Sequence, residues 1–112
     1  MLGCEVLLLH TTGRRSGLER TTPLMYTSDG DDIVLVASNG GSRLHPTWYL
    51  NLSADPSVRV ERKGPAEAWT ARTATREEKE RLWPGIVDAY KGYAAYERRT
   101  DRDIPLVILE KG

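Results

Sequence analysis

The feature that most constrains this chain is a short polar turn, TTGRRSG, between two apolar, strand-like runs. Glu5 to His10 fits a buried strand, and Thr21 to Thr27 fits a second, with Pro23 marking a bend or a sheet edge. Gly13 and Ser16-Gly17 let the backbone reverse sharply and aim several N–H groups one way, forming an anion-binding concavity. Arg14 and Arg15 lie in the turn. Arg20 opens the next strand, where the twist of the pair brings it back towards them. Guanidinium forks with backbone donors suit a phosphate or a run of carboxylates. The same residues also suit a solvated hairpin tip whose charges serve solubility.

The remaining pattern extends the strands. Ser28 to Asp32 is a turn, and Ile33 to Ser38 is the most strand-like segment, so the first three strands read as an antiparallel meander. Asn39-Gly40-Gly41-Ser42 breaks the chain, and Pro46 is placed for the first turn of a short helix through Trp48, Tyr49 and Leu52. Asp55-Pro56 ends it. Ser57 to Arg62 and Glu67 to Thr73 alternate as half-exposed strands around Lys63-Gly64-Pro65. Thr75 with Glu78 is a capping box opening a helix through Leu82 and Trp83. Pro84 is expected to end that helix and start a new turn running to Tyr90. Gly92 breaks this turn before a last helical piece through Tyr96 to Arg99, and Ile104 to Leu109 is the closing strand. Strands and helices do not alternate throughout, so a small antiparallel barrel with helices at its side fits better than a doubly wound sheet. The class is mainly β with helices (α+β), in one domain covering residues 1–112.

Composition narrows the functions. Sixteen basic and sixteen acidic residues balance, which removes the basic excess that nucleic-acid binding needs. One cysteine, Cys4, leaves no CxxC motif and no internal disulfide, which fits a reducing cytoplasm. No run reaches transmembrane length and the first residues do not read as a signal peptide, though peripheral membrane contact needs only a small apolar patch. Two histidines, His10 and His45, are too few for a His-rich metal site. His10 reads as a satisfied core or strand-end residue, and His45 as a cap or brace for its loop. Rossmann, Walker and nucleophile-elbow patterns are absent.

Two other clusters carry chemistry. Ala37 to Tyr49, ASNGGSRLHPTWY, joins a strand end, a glycine pair and a helix start, so that a flat ligand can approach the backbone near a positive helix end. It also reads as a plain strand-to-helix loop. Tyr90, Tyr93 and Tyr96, in YKGYAAY, can share one broad helical face and offer stacking surface and hydroxyl donors, or simply pack. The chain has three Trp and five Tyr but no Phe, so every large ring has a polar handle.

In this order, TTGRRSG-x-x-RTTPL, VLVASNGG, HPTWYLNL-x-A-x-P and YKGYAAYERRTDRDIPLVIL resemble the deazaflavin-dependent nitroreductase family, over residues 7–109. The resemblance implies a split β-barrel related to FMN-binding flavin reductases, and coenzyme F-420 (an 8-hydroxy-5-deazaflavin) as cofactor. It implies that Arg14, Arg15 and Arg20 hold the phosphate and glutamate tail, with Pro23 and Met25 beside the ring. Ala37, Ser38, Asn39, Gly40 and Gly41 would line the ring edge and phosphate side, and Trp48 would close the pocket. Ser38, Tyr90, Tyr93 and Tyr96 would face a quinone, activated alkene or nitroaromatic that receives the hydride. Asn39 and Leu44 stand at positions that are often basic in relatives. An FMN-binding split-barrel protein and a non-catalytic module for a deazaflavin or lipid-like ligand are the alternatives. A long arginine cluster disfavours FMN, which has one phosphate and no acidic tail. The expected partner is a small hydride acceptor rather than nucleic acid. The protein is expected in the cytoplasm or at a membrane, as a monomer or homodimer, with no metal.

Overall fold

The turn-and-strand pattern of the first 36 residues becomes a three-stranded meander in the computed structural model, which describes residues 5–37, 45–89 and 104–111. Strand β1 (Glu5–Thr12) pairs with β2 (Glu19–Asp29), and β2 with β3 (Asp32–Val36), all antiparallel. Gly30 takes φ +63° in the two-residue turn joining β2 to β3, a conformation that glycine adopts without steric cost. Helix α1 (Thr47–Ala54) follows, then the β4 (Ser57–Glu61) and β5 (Glu67–Thr73) hairpin, helix α2 (Arg76–Ala89) and β6 (Leu106–Lys111).

The strand order β1-β2-β3-β6-β5-β4 closes into a barrel where β4 meets β1. The expected antiparallel barrel with flanking helices is therefore observed. Its two long-range seams, β3 with β6 and β4 with β1, close the ring.

Apolar side chains fill the barrel on alternate residues: Leu7 and Leu9, Ile33 and Leu35, Val58 and Val60, Trp69 and Ala71, Val107 and Leu109. A second cluster lies outside it. There Val34 and Leu106 pack against Ile86, with Leu82 and Trp83 of α2 alongside. Strands β3 and β6 are thus buried on both faces, which explains why DIVLV and LVILEK read as unbroken apolar runs rather than alternations. Arg62 lies over the rings of Tyr26 and Trp69, at 5.6 and 5.4 Å from their centroids, and covers core aromatic surface with a guanidinium plane.

Two expectations need correction. Helix α2 does not restart at Pro84 but runs through it. Pro84 and Glu80, whose carbonyl lacks a donor for this reason, are both exposed, so water can take the freed bond. Leu82 and Ile86 dock on either side of the proline and hold the helix together. The closing strand begins at Leu106 rather than Ile104, because Pro105 has no N–H for the ladder. Its carbonyl nevertheless accepts the Ala37 N–H at 3.0 Å. His10 is satisfied, as read: it bridges Thr21 Oγ1 (2.8 Å) and Glu61 Oε1 (2.9 Å) across three strands. The Gly92 break and the helical piece at 96–99 lie outside the described residues.

The capping box forms as read. Glu78 N–H donates to Thr75 Oγ1 at 3.1 Å, and Thr75 N–H donates to the Glu78 carboxylate at 2.9 Å. Arg72 of β5 adds a two-pronged pair to the same carboxylate, at 2.7 and 2.8 Å. The Arg72 fork first, and the Thr75 amide second, hold the Glu78 carboxyl down to about 2 from an ordinary 4.5. Because the folded pKa is depressed, this stabilisation is whole above about 4.5 and is lost as pH falls towards 2. Glu78→Gln is expected to cost about 1 kcal/mol at pH 7, or about 4 °C in Tm. The gap to wild type should close between pH 4.5 and 2 in thermal melts; a pH-independent gap would refute this origin.

Candidate functional site

The arginine turn is held from inside. Gly13 N–H donates to the Leu18 carbonyl at 2.8 Å, and Gly17 N–H to the Gly13 carbonyl at 2.8 Å. Leu18 N–H donates to Ser16 Oγ at 3.1 Å. Gly17 has φ +74°, so glycine is required there on conformational grounds. Gly13 is required for space. A Cβ on it would lie 2.7 Å from Ser16 Oγ and 3.2 Å from the Leu18 carbonyl oxygen.

The sequence reading of this turn needs one revision. It expected several N–H groups converging on an anion, but those of Gly13, Arg14, Gly17 and Leu18 are engaged within the protein. An anion held at this turn would therefore depend mainly on the guanidinium groups. Arg20 does come back over the turn: its Nε sits 3.7 Å from where a Gly13 Cβ would be.

Arg14, Arg15 and Arg20 are exposed, and none has a carboxylate partner among the described residues. By contrast Arg59 pairs with Glu19, Arg72 with Glu78 and Glu110, and Arg81 with Asp29. Glu19, the chain neighbour of Arg20, is occupied by Arg59, whose hydrogen bond holds its carboxyl below the usual range. Three guanidinium groups without a carboxylate partner among the described residues make a local positive field that an external anion would relieve.

Asn51 of α1, missed by sequence reasoning, fixes this turn to the body of the protein. It is 3% exposed; its Oδ1 accepts the Arg14 N–H at 3.1 Å, and its Nδ2 donates to Thr11 Oγ1 at 3.4 Å. The only signal in the sequence was an amide inside the helical motif HPTWYLNL, and spacing alone cannot say that it points inward.

The other expected cofactor residues divide between surfaces. On β2, Pro23 and Met25 face outward opposite Leu8 and Val6, forming an exposed apolar strip in which Met25 is 37% and Val6 59% exposed. Arg20 lies on the opposite face, in the row of Thr22, Leu24 and Tyr26 that turns towards the core. Ala37 and Trp48 are interior, 0% and 7% exposed, in one cluster with Leu9 and Leu35. Trp48 meets Tyr49 edge-on at 6.4 Å, and His45 braces the start of α1 by stacking on Tyr49 at 5.0 Å. Ser38, Asn39, Gly40, Gly41, Tyr90, Tyr93 and Tyr96 lie outside the described residues.

A cavity of about 740 Å³ opens between α1, the end of β5 and α2, lined by Tyr49, Arg76, Lys79 and Trp83 among others. It adjoins Pro105, the partner of Ala37, but none of the described site residues expected from sequence lines it. Among the described residues no metal-ligating cluster occurs, and no helix is long and apolar enough to cross a membrane.

Removing the Asn51 amide would leave the Arg14 N–H and the Thr11 hydroxyl without their partner. Asn51→Leu is expected to destabilise the protein by about 1–3 kcal/mol and to accelerate amide exchange at Arg14. Unchanged exchange there would show that the turn does not depend on Asn51.

The motifs, the barrel and the arginine turn agree with what comparison with known proteins shows. Residues 1–111 match the sequence model of the F420H(2)-dependent quinone reductase family. The F420H(2)-dependent quinone reductase Rv1261c of Mycobacterium tuberculosis is 39% identical over 108 residues, covering 94% of this chain and 72% of that protein. A solved F420-H2-dependent reductase, FDR-A, superposes with a TM-score of 0.84 at 40% identity, covering 98% of this chain and 97% of that one. A structure described as a domain-swapped dimer superposes with a TM-score of 0.85 at 41% identity, covering 97% and 82% respectively. This chain belongs to the F420H(2)-dependent quinone reductase family, oxidoreductases on a split β-barrel.

Proposed function

We propose that this protein binds reduced coenzyme F-420 and passes a hydride from it to a quinone. The observation that carries this reading is the set of three guanidinium groups, Arg14, Arg15 and Arg20, without carboxylate partners among the described residues, at a turn braced by Asn51. The donor set fits the coenzyme: a phosphate followed by glutamates presents several anionic groups in line, where FMN presents one phosphate. When bound, the reduced deazaflavin supplies a hydride from its carbon 5.

The protein supplies position. Arginines remote from the reacting carbon contribute binding energy that fixes the ring in register with its acceptor. Pro23 and Met25 are assigned to the ring, as are Ala37 and Trp48, through the strand end and helix start that they anchor. Ser38, Tyr90, Tyr93 and Tyr96 are assigned to the acceptor, where a hydroxyl donating to its oxygen offsets the negative charge developing there. Activated alkenes and nitroaromatics present the same kind of electron-poor acceptor and belong to the proposed range. A cytoplasmic location is proposed, with membrane contact only through a quinone-like substrate. The solved relative described as a domain-swapped dimer supports a homodimer as an available state.

Under anaerobic conditions, reduced coenzyme is expected to be reoxidised when protein and a soluble quinone are both present. Arg20→Ala should raise KM for the coenzyme about tenfold, with kcat nearly unchanged, because it removes charge-assisted binding felt equally before and during the reaction. Reoxidation no faster than without protein, for quinone, nitroaromatic and enone alike, would refute the reading. Tyr93→Phe and Tyr96→Phe should each lower kcat by about tenfold or more while sparing coenzyme affinity; unchanged turnover in both would remove the tyrosines from the acceptor site.

A further inference from the structure

We propose that the cleft between α1 and α2 is a second ligand site, separate from the arginine turn, and that it takes a planar aromatic carboxylate. The inference stands on the cleft itself and does not depend on the coenzyme reading.

The walls suit a flat ring. The cleft holds about 740 Å³, within the range of small-molecule sites. Tyr49 of α1 and Trp83 of α2 line it, and His45 leans on the Tyr49 ring at 5.0 Å between centroids. A third side is the seam where β5 ends and β6 begins. There the Leu106 carbonyl accepts the Ala74 N–H at 2.8 Å, and the Pro105 carbonyl accepts the Ala37 N–H at 3.0 Å. These bonds satisfy both carbonyls, so the seam offers a ligand apolar contact. Aromatic faces with an apolar side favour a ring over a sugar or a flexible polar chain.

The polar groups suit one acid. Arg76, the first residue of α2, lines the cleft and makes no hydrogen bond or ion pair among the described residues. Glu80 lies one turn further on and lines the same cleft, yet the two do not pair. Glu78 does not compete for Arg76, because Arg72 and the Thr75 N–H occupy its carboxylate. Arg76 is thus left with a whole guanidinium fork, which matches a carboxylate. Lys79 lies over the Trp83 ring at 4.9 Å, which keeps a second positive charge beside the aromatic wall. The Tyr49 and Thr73 hydroxyls bond each other at 2.8 Å. That bond uses one of their two protons and leaves the other for a ligand oxygen.

Charge balance limits the ligand to one negative group. Arg76 and Lys79 stand against Glu80, a surplus of a single positive charge among these three lining residues. Glu77 and Glu78, in the first turn, already answer the positive end of α2, so the helix end adds little to that surplus. A carboxylate balances it, and a phosphate dianion or a polyanionic tail exceeds it. The arginine turn has the opposite preference, with three guanidinium groups and no aromatic wall of this kind. The two sites therefore select different molecules.

The probe is 2-naphthoate, titrated into nitrogen-15-labelled protein and followed by NMR at the indole N–H of Trp83, a signal identified with Trp83→Phe. Binding with a Kd of about 1 mM or tighter is expected for a ligand of this size. Neutral 2-naphthamide should bind about fivefold or more weakly, because it lacks the charge-assisted bonds to Arg76. Dianionic 2-naphthyl phosphate should bind no better than the carboxylate. Arg76→Gln should remove the preference for naphthoate over naphthamide while leaving titration with coenzyme F-420 unchanged. Saturating coenzyme should leave naphthoate binding at Trp83 in place. No shift of the Trp83 indole, or shifts at Arg14 and Gly17 instead, would overturn the site. Equal binding of acid and amide, stronger binding of the phosphate, or an undiminished preference in Arg76→Gln would overturn the assignment of a carboxylate to Arg76. Displacement of naphthoate from Trp83 by the coenzyme would show one shared site and also overturn the proposal.

Discussion

The hydrogen-bonding phase of β2 is the constraint on which the rest of the structure depends. The Gly30 turn sets it at one end and the Gly13–Leu18 bond at the other. One set of alternate residues is committed to β1, and their side chains from Thr22 to Tyr26 turn towards the core. The other set reaches β3 only in the last part of the strand. The barrel closes through β3, β6, β5 and β4, and among the described residues β3 pairs with β2 only at Thr27, Ser28 and Asp29. The arginine turn and the exposed strip of Pro23 and Met25 lie ahead of that pairing.

Stability and function are divided between two sides of the fold. β3 and β6 are buried on both faces, by the barrel interior and by α2, and α2 is fastened at its start by Glu78. Among the described residues, the β1–β2 hairpin carries the arginines without carboxylate partners and the large exposed apolar side chains. Like charges held on one turn repel, so the turn needs an independent brace, which Asn51 supplies from a rigid helix. An anion bound there would relieve the repulsion and stabilise the native state through linkage.

Much of this was legible in the sequence because it is local chemistry. Alternation in SVRVER and EAWTART located β4 and β5, Thr75 and Glu78 announced the start of α2, and the glycines of TTGRRSG marked the turn over which Arg20 returns. What escaped was decided over distance. Nothing local says that β4 pairs with β1, and Pro84 lies inside α2 only because Leu82 and Ile86 dock on a sheet. The inward direction of Asn51 likewise depends on tertiary placement. The turn amides were misjudged because their partners, Leu18, Ser16 and Asn51, become acceptors only once the turn has closed.

The most direct test of the central claim, that the arginine turn selects a cofactor with a long anionic tail, is a fluorescence titration with coenzyme F-420 and with FMN at two salt concentrations. Tight deazaflavin binding that weakens with salt, beside little binding of FMN, is the expected result. Preference for FMN, or binding of neither, would contradict the assignment of the turn and every role built on it.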